Sequence, residues 1–168
     1  MRVIKLAFIS FIILFLIVTG IGLLFPASVR VSRATDINAP RDSAYLYVSD
    51  MKYWKFWMNG ADTGTLTFLS QKTSGPGTVV RFGNYEVSEL IATKDSIITE
   101  WKSTKGSIQR SVFNIISRDT NSATINWYFT STVQWYPWER FSSMMNDKIM
   151  GPPMESSLSA LKKKLETH

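Results

Sequence analysis

The sequence predicts an α+β protein in which a curved antiparallel β-sheet wraps around a long C-terminal helix, behind one N-terminal transmembrane helix. Residues Leu6 to Phe25 carry no charge, and a run of this length crosses a hydrocarbon core as a helix. From Thr63 to Thr130, apolar and polar residues alternate, which is the period of half-buried strands. After Phe141, apolar residues recur at steps of three and four, which is the period of a helix.

The apolar run divides the chain into an anchor, residues 1–25, and a domain, residues 26–168. A cleaved signal peptide is the alternative, with a shorter apolar region and small residues before the cleavage site. Cleavage after Ala27 would place the bulky Phe25 at the third position before the cut. We therefore predict an uncleaved single-pass anchor in the cell membrane.

The charges that flank the span bear on its orientation, because Lys and Arg favour the cytoplasmic side. Arg2 and Lys5 precede the span, whereas Arg30, Arg33 and Arg41 follow it at greater distance. The near charges and the short N-terminal tail favour an inside N-terminus. The domain is therefore expected on the exported side, periplasmic or extracellular.

Composition narrows the chemistry of the domain. The chain has no cysteine, which excludes disulfides, thiolate nucleophiles and cysteine-ligated metals. Its one histidine is the terminal His168. We therefore expect neither a Ser-His-Asp triad nor a metal site built from several histidines. The chain has 19 basic and 13 acidic residues, and without Arg2 and Lys5 the domain keeps an excess of only four basic residues. We therefore predict no nucleic-acid partner.

The domain opens with a predicted strand over 29–37. Asn38 is a candidate cap and Pro40 a candidate opening residue for a short helix that ends near Val48. Asp50 offers a second cap. A second short helix then extends to Asn59-Gly60, with apolar residues at helical spacing, namely Met51, Trp54, Trp57 and Met58.

Six further strands are predicted as an antiparallel meander, bounded by Gly, Pro, Asn, Asp or Ser turns. Their predicted ranges are 65–69, 78–86, 87–92, 96–101, 108–116 and 123–130.

A long helix closes the chain. Its apolar stripe comprises Phe141, Met144, Met145, Ile149, Met154, Leu158, Leu161 and Leu165. We expect Gly151-Pro152-Pro153 to kink or split this helix, because proline lacks a backbone donor.

This element order is that of a helix-grip domain. The sequence resembles the SRPBCC superfamily, which comprises START, Bet v 1-like and polyketide cyclase/dehydrase-like proteins, and in particular bacterial members with an N-terminal membrane helix. The resemblance covers about residues 29–166 and is carried by segments 36–40, 50–57, 77–82, 123–127 and 151–162. It implies a cavity for a hydrophobic ligand between the sheet and the C-terminal helix. It does not imply a catalyst, because one fold serves many functions.

Aromatic and methionine residues on the predicted sheet and helix faces are the candidate ligand-binding residues, since such side chains suit an adaptable apolar pocket. They are Trp54, Trp57, Phe82, Trp101, Phe113, Trp127 and Met145. The alternative is that they only fill the core. A second aromatic cluster, Trp135, Tyr136 and Trp138 around Pro137, is either a membrane-facing portal or an anchored loop.

Few residues are candidates for catalysis. Asp62-Thr63-Gly64 has the tripeptide of aspartic proteases, but it occurs once and without an apolar strand before it, so we interpret it as a turn. The remaining acids or bases are Glu86, Glu89 and Glu100. Arg81 and Arg110 are candidates for a ligand carboxylate or phosphate, or are simply solvated.

The sequence thus predicts membrane-anchored binding of a hydrophobic small molecule or lipid, with no catalytic residue, cofactor or metal. Two alternatives stay open. One is a cyclase- or hydrolase-like enzyme that uses a cavity carboxylate or arginine. The other is a protein-interaction module whose cavity is filled by side chains. No motif identifies a protein partner.

Overall fold

A computed structural model of the chain describes residues 2–24, 27–61, 66–132, 136, 138–139 and 145–167. The element order is helix, strand, two short helices, six strands and a long helix. The elements are α1 (Arg2–Leu23), β1 (Ser28–Ile37), α2 (Arg41–Ser49), a 3₁₀ helix (Met51–Phe56), β2 (Leu66–Phe68), β3 (Val79–Phe82), β4 (Tyr85–Ala92), β5 (Ser96–Ser103), β6 (Ile108–Asp119), β7 (Ser122–Thr132) and α3 (Asn146–Glu166).

The N-terminal helix is long and apolar enough to cross a membrane. It has 22 residues and a mean hydropathy of 2.8 in its most apolar window, and it extends about 33 Å at the usual helical rise. Of its residues, Gly22 is buried. The predicted end of the span at Phe25 lies outside the described residues. Such a helix is compatible with a membrane anchor or with a signal sequence.

The seven described strands form one antiparallel sheet in the order β1-β7-β6-β5-β4-β3-β2. The first strand pairs with the last along its full length, from Ser28 opposite Thr132 to Ile37 opposite Ala123. All other neighbours are consecutive in the chain, as in a meander. The predicted α+β helix-grip architecture is confirmed.

One face of this sheet packs against α3, α2 and the 3₁₀ helix. Strand alternation directs every second side chain to this inner face, as in β7, where Ala123, Ile125, Trp127 and Phe129 are buried. Helix α3 supplies the opposite wall with Met154, Leu158, Leu161 and Leu165.

The predicted break between β3 and β4 was wrong. The sequence pattern placed it at Glu86, whereas the strands meet at a two-residue turn, Gly83-Asn84, with Phe82 opposite Tyr85. Gly83 has a φ of 55°, a conformation that glycine adopts without a steric penalty. The Gly-Asn dipeptide between alternating residues is itself a hairpin signal.

One of the two predicted helix caps differs from expectation and the other is as predicted. Asn38 does not cap α2, because Pro40 is the N-cap residue and the Asn38 backbone N–H donates to Glu166 of α3. Asp50 caps the 3₁₀ helix by accepting a hydrogen bond from the backbone N–H of Lys52, as predicted.

Helix α3 runs without a break through Pro152 and Pro153, so the predicted split does not occur. The two prolines remove the donors for the carbonyls of Lys148 and Ile149. Both of these residues are exposed, and water can satisfy their carbonyl groups. The start of the predicted helix, including Phe141 and Met144, lies outside the described residues.

Candidate functional site

A cavity of about 210 Å³ lies between the sheet and α3. Its lining is mainly aromatic and sulfur-containing. The residues are Met58, Asn59, Phe82, Tyr85, Trp101, Gln109, Trp127, Phe129, Ile149, Met150, Pro153, Met154 and Ser157. The side of the cavity at Ile149 faces solvent, where that side chain is 64% exposed.

Three parts of the fold position this lining. Alternation along β3 to β7 directs one set of lining side chains toward α3, namely Phe82, Tyr85, Trp101, Gln109, Trp127 and Phe129. Successive turns of α3 present its residues on one face, because positions three and four apart are neighbours on a helix. Met58 and Asn59 follow the 3₁₀ helix and close one side.

Hydrogen bonds fix the two tryptophans of the wall. Trp101 Nε1 donates to Thr99 Oγ1 at 3.0 Å, within one strand. Trp127 Nε1 donates to Ser111 Oγ at 2.7 Å, across from β7 to β6. Because each indole donor is satisfied inside the protein, the ring surfaces that face the cavity are apolar.

Of the seven predicted binding residues, Phe82, Trp101 and Trp127 line the cavity. Trp54, Trp57 and Phe113 lie one layer behind. Trp54 stacks on Trp101 with a centroid separation of 6.0 Å, and Phe113 stacks on Trp127 at 4.8 Å.

The seventh, Met145, precedes α3 and is 55% exposed, outside the lining. Three other methionines, Met58, Met150 and Met154, line the cavity instead. The spacing of Met150 and Met154, four residues apart on one helix face, was a signal for the latter two.

The polar groups of the wall are few. The Ser157 hydroxyl donates to the Pro153 carbonyl at 2.7 Å and accepts from the Asn59 backbone N–H at 2.9 Å. Among the described lining residues there is no carboxylate and no basic side chain. The arrangement suits retention of an apolar group and supplies no acid–base pair.

The candidate carboxylates lie elsewhere. Glu86 is exposed, and Glu100 is half-buried on the outer face, opposite Arg110. Arg81 and Arg110 are exposed. Glu89 alone of these residues points into the core, where it is 1% exposed, but it does not line the cavity.

Glu89 occupies a buried polar position on the inner face of the sheet, outside the cavity lining. Its Oε2 accepts from the Gly75 backbone N–H at 3.0 Å, whereas Oε1 and the nearby Thr78 Oγ1 have no partner. Desolvation raises the pKa of Glu89 to about 7, and the charge of Asp50 also raises it. Within the described ranges, no group of three or more His, Asp or Glu side chains is placed to hold a metal ion.

Several sequence candidates fall outside the described residues, namely Asp62-Thr63-Gly64, Trp135, Pro137 and His168. Tyr136 and Trp138 stack with ring centroids 5.0 Å apart. Trp138 is 61% exposed.

No protein-family model matches the sequence, and no curated protein matches it significantly. Solved structures do match. A truncated norcoclaurine synthase from Thalictrum flavum has a TM-score of 0.66 at 13% identity, over 84% of this chain and 95% of its own. A START superfamily protein from Mycobacterium smegmatis has a TM-score of 0.60 at 16% identity, over 82% and 97%.

The fold is that of the START and Bet v 1-like proteins. A protein of the dynemicin biosynthetic locus, DynU16, shares it with a TM-score of 0.59 at 17% identity, over 82% of this chain and 47% of its own. The SRPBCC resemblance noted in the sequence is thus confirmed at the level of the fold. These identities are too low to transfer an activity.

Proposed function

We propose that this chain is a membrane-anchored binding protein whose helix-grip domain holds a hydrophobic small molecule or part of a lipid. The cavity between the sheet and α3 carries the proposal. Its wall combines fixed indole rings, Trp101 and Trp127, with the adaptable side chains of Met58, Met150 and Met154.

The size of the cavity limits what fits inside. Its volume of about 210 Å³ is below the ~300–1,000 Å³ of typical ligand pockets. It exceeds an engineered apolar cavity of about 150 Å³ that binds benzene in another protein. A ring or a short stretch of acyl chain fits, and a longer ligand would extend through the open side at Ile149.

The chemistry of the wall favours binding over catalysis. A cavity enzyme of the cyclase or hydrolase type would need a carboxylate or arginine directed at the ligand. Glu86, Glu100, Arg81 and Arg110 lie on the outer face, and Glu89 is enclosed elsewhere. The polar lining groups Asn59, Gln109 and Ser157 suit orientation of a ligand by hydrogen bonds.

Photolabelling tests the proposal on the full chain in lipid nanodiscs. The probe is a fatty acid that carries a diazirine on its chain, and the label is mapped by tandem mass spectrometry. We expect label on the α3 segment that contains Met150 and Met154, because their side chains line the cavity. Label confined to α1 would contradict cavity binding.

Two matched variants test where the probe binds. Met150→Trp fills the cavity and should reduce labelling at least several-fold, whereas Leu46→Trp, a comparable enlargement at a 46% exposed position of α2 outside the lining, should leave it unchanged. Equal losses in both variants would show that the label does not report on the cavity.

The membrane part of the proposal rests on the length and hydropathy of α1. A mature protein whose measured mass equals that of the chain from Met1 would support a retained anchor, and a lower mass would indicate a cleaved signal. Because the chain has no cysteine, a single Thr120→Cys variant, in the exposed turn between β6 and β7, reports on the side of the membrane. Labelling of intact cells by an impermeant maleimide supports the exported side, and protection supports the opposite side.

A further inference from the structure

The open side of the cavity lies at one edge of the sheet, in the sense of the end at which the strands begin or end and not of an outer strand. The register aligns the start of β1 with the end of β7, Ser28 opposite Thr132, and the end of β3 with the start of β4, Phe82 opposite Tyr85. The start of β6, at Ile108, lies opposite Lys102 near the end of β5. We call this edge, at which β1, β4 and β6 begin, the proximal edge.

The cavity lining is concentrated near the proximal edge. Phe82 ends β3, Tyr85 begins β4, and Gln109 is the second residue of β6. Helix α3 begins near the same edge, because its last turn reaches the far end of β1, where Glu166 accepts from the Asn38 backbone N–H at 2.8 Å. The open side of the cavity therefore faces the end of the domain at which β1 begins.

The connection to α1 is short. Helix α1 ends at Leu23 and β1 begins at Ser28, and five residue steps span at most about 18 Å. Strand β1 has 10 residues, or about 33 Å of length. When α1 crosses a bilayer, the proximal edge is therefore held close to the lipid surface.

Exposed apolar side chains surround the open side. Ile149 is 64% exposed, Ile108 55% and Met145 55%. Ile149 lines the cavity, Met145 is one helical turn before it, and Ile108 is next to Gln109. Exposed apolar side chains grouped at one end of a domain suit contact with the apolar interior of a membrane.

A charged groove lies on the outer face of the sheet at the same edge, around the end of the strands from the cavity. It has a volume of about 250 Å³ and is lined by Arg81, Gly83, Asn84, Tyr85, Glu86, Lys102, Ser103, Thr104 and Gly106. Tyr85 lines both the groove and the cavity. Two cations against one carboxylate leave the groove net positive, which complements a phosphate group.

Together these observations point to one occupant of the cavity and the groove. This inference rests on the proposed function. We propose that the proximal edge rests on the bilayer surface and that the cavity takes an acyl chain of an anionic phospholipid, with the lipid phosphate in the groove beside Arg81 and Lys102. The small cavity volume agrees with this, because only part of the lipid is enclosed. A lipid then enters from the membrane without crossing water.

The position of the edge is tested with single cysteines in the full chain, reconstituted in vesicles of phosphatidylcholine and phosphatidylglycerol. A nitroxide at Ser107→Cys, near the proximal edge, should be shielded from water-soluble relaxation agents and accessible to oxygen in the lipid phase. A nitroxide at Thr120→Cys, in the turn at the opposite edge, should be accessible to the aqueous agent. Equal aqueous exposure of both labels would overturn the orientation.

The groove is tested with a phosphatidylglycerol that carries a diazirine on its acyl chain. Arg81→Gln with Lys102→Gln should lower labelling of α3 by about tenfold or more, given the energy of each basic residue near an anionic surface. The control, Lys94→Gln with Lys163→Gln, removes the same charge from exposed positions outside the groove and should have little effect. An equal loss in both double variants would overturn the groove.

The diazirine fatty acid separates this inference from the proposed function. If it labels the cavity while the Arg81 and Lys102 changes leave phosphatidylglycerol labelling intact, the groove assignment is wrong and the binding function stands. If neither probe labels the cavity residues, the proposed function itself fails.

Discussion

The guanidinium of Arg33 lies across Gly151, where a Cβ atom on residue 151 would overlap it. Arg33 donates to Asp147, at 2.8 Å, and to Glu155, one turn before and one turn after this glycine. The three α3 positions are four residues apart, so they share a helix face. Gly151 thus leaves space for an arginine that joins β1 to α3.

This relationship predicts a non-additive effect. In a chain with Arg33→Ala, Gly151→Ala should stabilise α3 by about 1 kcal/mol, because glycine is a poor helix former. With Arg33 present, the new methyl group displaces the guanidinium from Asp147 and Glu155, and the gain should shrink or reverse. Urea unfolding of the full chain in detergent micelles, followed by tryptophan fluorescence, measures both effects in one cycle. Equal gains in the two backgrounds would show that Arg33 adjusts without loss.

The buried carboxyl of Glu89 predicts a pH dependence of stability. Its pKa is raised to about 7 in the folded chain, above that of an exposed glutamate, so the folded state binds more protons between about pH 4.5 and 7. Stability should therefore fall as the pH rises through this window and level off above it. The contribution is about 3 kcal/mol at most.

The Glu89→Gln variant should abolish that slope and be more stable than the parent at pH 8. Glu86→Gln, on the same strand but exposed, is the matched control and should keep the slope. Urea midpoints at several pH values measure both variants. A parent chain whose stability is flat from pH 5 to 8 contradicts the prediction.

How far the sequence could specify this fold is clear at β4. The pattern Val87-Ser88-Glu89 directs Glu89 to the same face as Val87, so its burial was foreseeable from alternation. A bulge between Glu89 and Ile91 then shifts the phase and leaves Leu90 and Ile91 exposed. Nothing local in an apolar pair indicates such a shift, since a bulge depends on pairing with the next strand.

The candidate site was foreseeable to a similar degree. Aromatic residues on inner strand positions were identifiable from alternation. The sequence marks Trp101 and Trp54 alike as buried aromatic residues, but Trp101 lines the cavity and Trp54 lies behind it. Whether a residue lines a cavity or lies behind the wall depends on how α3 sits over the sheet. That placement is set by tertiary contacts such as Arg33 with Glu155.

The hydrogen bond from Trp127 to Ser111 predicts a specific loss of stability. Ser111→Ala removes the acceptor of a buried indole N–H, and an unsatisfied buried donor costs about 1–3 kcal/mol. Ser107→Ala, at an exposed position, should change stability by about 0.5 kcal/mol or less. Urea unfolding distinguishes the two variants, and similar midpoints would mean that Trp127 finds another acceptor.

The short connection between α1 and β1 predicts that its length controls loading from the membrane. A flexible Gly-Ser insert of twelve residues after Ala27 adds a root-mean-square reach of about 20 Å, which frees the proximal edge from the lipid surface. Labelling of the cavity by the diazirine phosphatidylglycerol in the bilayer should then fall. The diazirine fatty acid, added to the same variant in detergent micelles without a bilayer, should label as before, because the insert does not touch the cavity wall.

An insert of the same length between Thr120 and Asn121, in the turn at the opposite edge, is the control. It should leave labelling by both probes unchanged, because it does not alter the distance between α1 and the cavity. If the insert after Ala27 leaves phosphatidylglycerol labelling intact, then lipid reaches the cavity without contact between the proximal edge and the bilayer, and the short connection serves only to attach the domain.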